Sequence, residues 1–228
     1  GAGARGRRSI ARLAPDANAR PPGLHITGVP TPSSPPMGKA MQGTHHPHVN
    51  SSIAEGIAVG TPGQIPQAII ARLVDDLVLV DEGDIEQAIV MLLEVEKTLV
   101  EGAGAASLAA LLKYPERFKG KRVGLVLSGG NIDPLLLAAI IQRGMVRAGR
   151  LARIRVSARD IPGSLAKITA TVAGAGANID EVHHQRAFTA LAAQNVEVEL
   201  VIQTRGPQHI QEVLAQLLQA GLAAQLIH

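Results

Sequence analysis

The chain has 228 residues, 46% of them hydrophobic, enough to bury a core and to make one large or two modest domains. It has no cysteine, which excludes disulfides, thiolate metal sites and thiol catalysis; with no run of about 18 apolar residues and no signal peptide, no membrane partner and a cytoplasmic location are expected. Of the net charge of +3, Arg5, Arg7, Arg8, Arg12, Arg20 and Lys39 against Asp16 alone put +5 in residues 1–50 and leave −2 beyond; with Tyr114, Phe118 and Phe188 as its aromatics, the chain offers no stacking platform and no nucleic-acid partner is expected.

The chain begins at Gly1, and GAGARGRRSIARLA reads as a glycine turn entering a helix, so the sequence is expected to open inside a larger unit. LHITGV (Leu24–Val29) alternates as a short strand does, and residues 30–50, rich in Pro, Ser, Gly and His, read as loop. Ile65–Leu73 has helical apolar spacing, and LVLV (Leu77–Val80) is a continuous apolar run, the signature of a strand buried on both faces. Asp81 is placed to cap a helix running to about Leu99, with Glu82, Asp84 and Glu86 near the positive end of its dipole. A second helix over Gly104–Leu112 and a strand over Arg122–Leu127 follow; after the break SGGN, Asp133 can cap and Pro134 sits where its missing N–H matters least. Strand and helix alternate, which predicts an α/β doubly wound sheet.

Near Arg150 the pattern changes. LARIRVS (Leu151–Ser157) is a half-exposed strand, Gly163–Ala173 a helix, Val182–Arg186 and Asn195–Thr204 strands, Pro207–Gln219 a helix closed by Gly221, and Leu222–Ile227 a last strand. That is βαββαβ, the ferredoxin-like order, and it divides the chain into domains 1–149 and 150–228.

A strand that ends in small residues and leads into a helix places bare N–H groups and one side chain where ligands of parallel sheets bind. At Leu127-Ser-Gly-Gly-Asn131 that side chain is Ser128; a tight turn satisfied by Ser and Asn explains the break equally well on these residues alone. Two further stretches put a carboxylate beside a glycine ahead of a helix: SSIAEGIAV with Glu55 and Gly56, and VEGAGAA with Glu101. For either glutamate the other reading is a charge at a helix N-terminus.

In the order SSIAEGIAV, DDLVLV, VEGAGAASLAALL, VGLVLSGGNID, residues 24–147 resemble the second half of the fold-type II (tryptophan synthase beta-like) pyridoxal-phosphate enzymes, most closely the threonine ammonia-lyases, also called threonine dehydratases. The resemblance implies pyridoxal 5'-phosphate as cofactor, with Ser128 at its pyridine nitrogen, Gly129, Gly130 and Asn131 beside it, Glu55 and Gly56 along its edge and Glu101 near the ring. A neutral hydroxyl does not hold a proton on that nitrogen as an aspartate would, so the ring is a gentler electron sink, suited to loss of a β-hydroxyl. Such enzymes carry a Schiff-base lysine after a Ser-Phe or similar pair; Lys39, Lys97, Lys113, Lys119, Lys121 and Lys167 lack that context, so no catalytic residue is assigned, the catalytic domain is read as incomplete, and the chain alone is expected to be inactive. Gly1 and Gly3 stand where a diverged remnant of the phosphate loop would lie, or are a frayed terminus. PTPSSPP has no carboxylate for the divalent cation of some relatives, and the His45, His46 and His48 cluster lacks a fourth ligand, so no metal is expected.

ARDIPGSL (Ala158–Leu165), GANI (Gly176–Ile179) and EVHHQR (Glu181–Arg186) resemble an ACT domain, a module that senses amino acids. The resemblance implies an effector between paired domains, at Asp160, Ile161, Pro162 and Gly163, whose N–H groups can receive a carboxylate, and at Asn178 and Ile179, where Asn178 can hold an amino group; a plain helix cap is the other reading of DIPG. His183 and His184 are read as part of an exposed sheet face. The combined expectation is conversion of L-threonine, or also serine, to 2-oxobutanoate and ammonia in isoleucine biosynthesis, with feedback by isoleucine or valine in a homo-oligomer. The alternative is a non-catalytic, dimerising module that only binds amino acids.

Overall fold

A computed structural model describes residues 23–32, 53–54, 68, 70, 72–185 and 194–227. The chain divides into two compact units, Gly1–Ile140 and Ile141–His228. The predicted opening helix, Gly1, Gly3, the His45–His48 cluster, Glu55 and Gly56 lie outside the described residues, and of the helix predicted over Ile65–Leu73, positions 68, 70, 72 and 73 are described and helical.

In the first unit, β1 (Thr27–Gly28) and β2 (Asp76–Leu77) pair in parallel, Thr27 with Asp76 and Gly28 with Leu77. The pairing runs past these short strands: the alternate carbonyls of Ile26, Gly28 and Pro30 accept from Asp75, Val78 and Val80 at 2.9, 3.0 and 3.3 Å. LHITGV and LVLV are thus neighbouring segments paired in parallel, but LVLV is not the doubly buried strand its apolar run predicts, since the strand ends at Leu77 and Leu79 is 45% exposed. Helix α1 (Glu82–Glu94) opens on the expected cap, now a reciprocal capping box: Asp84 N–H donates to Asp81 and Asp81 N–H to Asp84. It stops at Glu94, short of the predicted Leu99, and Lys97 follows with a positive φ of 54°.

Helix α2 (Gly102–Lys113) buries Ala105, Ala106, Ala109 and Ala110 against Ile85, Ala88, Ile89 and Leu92 of α1. Alanine on one side and branched side chains on the other let the two axes approach closely, and the seam is a dry core. The short helix α3 (Pro115–Phe118) was not predicted; α4 (Pro134–Arg147) was, with Asp133 Oδ1 accepting from Leu135 and Leu136 N–H at 2.9 Å each. The strand predicted over Arg122–Leu127 does not form, although its apolar run suits one. A cavity of about 1050 Å³ lies between residues 121–125 and β1, so among the described residues their backbone groups meet no ladder, and Val126 stays 53% exposed.

The second unit is β3 (Leu151–Arg159), α5 (Ser164–Gly174), β4 (Asn178–Gln185), β5 (Asn195–Gln203), α6 (Pro207–Gln219) and β6 (Ala223–Ile227). The sheet order is β4-β5-β3-β6, antiparallel throughout, the ferredoxin-like arrangement that the element order predicts. Alternation along β3 and β5 sends Ile154, Val156, Val198, Leu200 and Ile202 to the helix side, where Ile168, Val172, Val213 and Leu217 cover them. The opposite face is polar, with Arg155 Nη2 and Nε both donating to Glu199 Oε1, at 2.8 and 3.1 Å. Among the described residues no helix is long and apolar enough to cross a membrane.

Candidate functional site

Three of the singled-out stretches meet at the N-terminal end of α2. Glu101 is its N-cap, extended in backbone and making no capping bond with its own carboxylate. Its N–H donates to Gly129 O at 2.8 Å, and Ser107 Oγ, one and a half turns on, donates to Val126 O at 3.3 Å. These bonds hold the SGGN segment along the helix in place of a strand ladder.

The glycines set how near the segments come. A Cβ on Gly104 would stand 2.0 Å from Ser128 O, and one on Gly102 would stand 2.4 Å from Ile53 O. Ile53 and Ala54 are thereby placed at the same helix end; Ile53 N–H is itself fixed by Glu82 Oε2 at 2.9 Å. Gly129 has φ +80°, and a Cβ there would fall 2.3 Å from Glu101 Cδ, so the Glu101 carboxyl lies directly on the glycine.

Ser128, Gly129 and Glu101 are therefore one cluster. Ser128 is half-buried and its hydroxyl makes no hydrogen bond among the described residues; Asn131 is exposed and likewise unbonded through its side chain. Gly130 has only Leu99 O near its would-be Cβ, at 3.4 Å. A free hydroxyl beside bare backbone, with the positive end of α2 behind it, fits an aromatic ring nitrogen and the flat ring that carries it. Sequence reasoning read Glu82 only as a first-turn charge and missed its bond from Ile53 N–H and its buried, unpartnered Oε1, and it missed the role of Gly102 and Gly104 as contact points; the spacing GAGAA carried that second signal.

In the second unit the expected effector residues fall in two places. Asp160, Ile161, Pro162 and Gly163 form the turn after β3, with Ile161 60% exposed and Gly163 at φ +91° as the N-cap of α5. Ser164 Oγ donates to Arg159 O at 2.7 Å and tightens the turn. Asn178 opens β4 opposite Gln203, which lies opposite Leu151. Asn178 therefore stands at the start of β3 and the turn at its finish, roughly 26 Å apart at about 3.3 Å per residue. One chain does not bring these two groups together.

Asn178 is oriented by neighbours that the sequence did not reveal. Its Nδ2 donates to Gln203 Oε1 at 3.5 Å, and Gln203 Nε2 donates to Asp180 Oδ1 at 3.0 Å. The register shifts between Ile179 and Glu181, a bulge at Asp180 that re-aims its carboxylate toward Gln203. Asn178 Oδ1 is left as the acceptor, the polarity an ammonium group requires. Ile179 is half-buried behind it, and His183, 3.1 Å from Glu181, lies on the exposed face as expected. Among the described residues no cluster of His, Asp and Glu has metal-binding geometry.

The first unit is an α/β domain, and the second is a ferredoxin-like βαββαβ module. Residues 9–129 match the family described as pyridoxal-phosphate dependent enzyme and residues 152–219 match the ACT domain; the chain belongs to that enzyme family and carries an ACT domain. It is 42% identical to an L-threonine ammonia-lyase of Geobacter sulfurreducens over 93% of this chain and 53% of the relative, and 34% identical to one of Thermotoga maritima over 90% and 52%. The chain thus spans about half the length of the curated relatives it matches. The structure of the processed form of threonine deaminase isoform 2 from Solanum lycopersicum superposes with a TM-score of 0.54 at 27% identity, covering 62% of this chain and 40% of that one.

Proposed function

We propose that the protein carrying this sequence is a threonine ammonia-lyase that converts L-threonine to 2-oxobutanoate and ammonia, uses pyridoxal phosphate, and answers to an amino acid bound at its ACT domain. The observation that carries the reading is the convergence of Ser128, Gly129 and Glu101 on the end of α2, in a chain of this family with 42% identity to an L-threonine ammonia-lyase. We assign residues 1–149 to the catalytic domain and 150–228 to regulation.

Pyridoxal phosphate, when bound, supplies an electron sink for negative charge at the substrate α-carbon. This chain's part is to hold and tune it. Ser128 Oγ would share a hydrogen bond with the ring nitrogen without bringing a negative charge to it, so the nitrogen is not held protonated. Gly129 and Gly130 leave room for the ring plane, Glu101 would stand at the ring, and Glu55, Gly56 and Asn131 would border it. Gly1 and Gly3 remain the candidates on the phosphate side.

At the ACT domain, Asp160, Ile161, Pro162 and Gly163 would receive the carboxylate of isoleucine or valine, and Asn178 with Ile179 the amino group and side chain. These groups stand at opposite ends of one sheet, so a ligand touching both bridges two copies, which supports a homo-oligomer. Serine as a second substrate and a cytoplasmic location go with this reading.

The test is expression of the complete reading frame and assay of 2-oxobutanoate from L-threonine, alone and with isoleucine or valine. Activity that needs added pyridoxal phosphate and weakens in cofactor affinity in Ser128→Ala is expected, while the 228-residue chain alone gives none. Amino-acid binding without turnover of threonine or serine would instead favour the non-catalytic module, a reading that the self-contained second unit supports.

A further inference from the structure

We infer that His209 is a positioning residue for Asn178. It rests on the proposed effector site and names what fixes half of that site. His209 is 3% exposed, in the first turn of α6, and neither of its ring nitrogens is idle. Nδ1 accepts the backbone N–H of Arg205 at 3.1 Å, which forces the neutral tautomer with the proton on Nε2. Nε2–H then donates to Ala175 O at 2.9 Å, across 34 residues of sequence.

Ala175 is the C-cap of α5 and stands three residues before Asn178. The helix ends in a Schellman turn: Gly176 takes φ +81° and donates to Ala173 O at 2.9 Å, and Ala177 donates to Val172 O at 3.3 Å. Those bonds close the turn on α5 but leave the carbonyls of Ala175 and Gly176 to outside partners. His209 takes the first, and Arg205 Nη1 reaches the second at 3.5 Å while its Nη2 lies 3.8 Å from Glu212. Arg205, just before α6, and His209, in its first turn, thus pin both carbonyls just ahead of Asn178. Of the two, His209 is the buried one, so its removal leaves Ala175 O without a partner away from water.

Two variants separate the bonds. His209→Gln places its amide nitrogen near the Nε2 position and keeps the bond to Ala175; His209→Asn places its oxygen near the Nδ1 position and keeps only the bond from Arg205. Each loses one of the two bonds, so their Tm values fall alike. The full chain is titrated with isoleucine and valine by calorimetry, and hydrogen exchange is followed in the peptide spanning residues 172–180.

His209→Asn should weaken binding about tenfold and speed exchange in that peptide by a similar factor, with His209→Gln within about twofold of the parent. Equal affinity and equal exchange in both variants, or losses that follow Tm alone, would overturn the role. If the parent chain binds no amino acid, the effector reading fails. The exchange comparison still decides by itself whether His209 holds the turn.

Discussion

The two units meet the problem of satisfying a sheet in opposite ways. The second closes on itself: β3 finds β5 on one side and β6 on the other, every pairing is antiparallel, and α5 and α6 cover the apolar face. The first has a parallel pair, β1 with β2, and an apolar segment over residues 122–127 that meets no strand among the described residues. Distance along the chain does not separate the two cases, since β3 reaches β5 across 35 residues and β6 across 63 while β1 and β2 lie 47 apart; what differs is that every strand of the second unit has its neighbour among the described residues. The first unit holds its site segment by the end of a helix instead.

The contrast is broken or sharpened by substitutions of decreasing weight. Leu200, fully buried in the second unit, should lose about 2–5 kcal/mol on change to Ala, read as a lower Tm with a shared loss of all four strands. If Leu200→Ala changes stability by less than that, the second unit is not the self-supporting one. Gly129→Ala should cost about 1–3 kcal/mol, because φ +80° and the Glu101 carboxyl both oppose a methyl group, and it should abolish cofactor binding by the complete protein, measured by fluorescence. Retained cofactor binding would remove Gly129 from the site. Asn178→Ala should weaken isoleucine or valine binding about tenfold in calorimetry while leaving the fold intact. Unchanged heat would dismiss Asn178.

A smaller effect is expected where α1 and α2 are tied by charge. Lys113 Nζ lies 2.5 Å from Asp84 and 3.0 Å from Asp81. The two carboxylates, Asp84 first, hold Lys113 protonated well above its usual range, and the Lys113 ammonium is the main cause that keeps Asp81 below the usual carboxylate range. A depressed Asp81 stabilises the fold above its unfolded value, about pH 3.9, and that contribution disappears as pH falls through the lower folded value; the Lys113 contribution is present below about pH 10.4 and is lost as pH rises beyond it. Lys113→Met should therefore flatten the stability profile at both ends, by up to about 1 kcal/mol for so exposed a cluster. An unchanged acid limb would show that the cluster contributes nothing. Least of all, Val126→Thr, at a half-open position, should move stability by under about 0.5 kcal/mol; a larger loss would mean that residues 122–127 are covered after all.

Legibility in the sequence tracked how local the cause was. Asp81, Asp133 with Pro134, and Gly221 marked helix ends correctly because a cap is decided within four residues. Pro207–Gln219 was read to the residue, and β3 and β5 to within two, because alternation and helical spacing are short-range signals. Arg122–Leu127 failed for the complementary reason: its composition suits a buried strand, but a strand exists only where a neighbour does. The cofactor candidates Ser128, Gly129 and Glu101 were legible as motifs, and their contacts were not, since 28 residues separate Glu101 from the Gly129 it touches and 24 separate Gly104 from Ser128.

By itself the sequence determined the element order of the second unit, the helix caps, the succession of an α/β part and a βαββαβ part, and which residue types stand at the turns, all of which follow from spacing and from the chemistry of near neighbours. Tertiary structure decided what touches what. It set Gly129 beneath Glu101, put the 160–163 turn and Asn178 at opposite ends of one sheet, used a bulge at Asp180 to orient Gln203, and placed His209 of α6 on the carbonyl that ends α5. Each of these joins segments distant in the chain, and their meeting depends on the packing of whole elements, which no local pattern encodes.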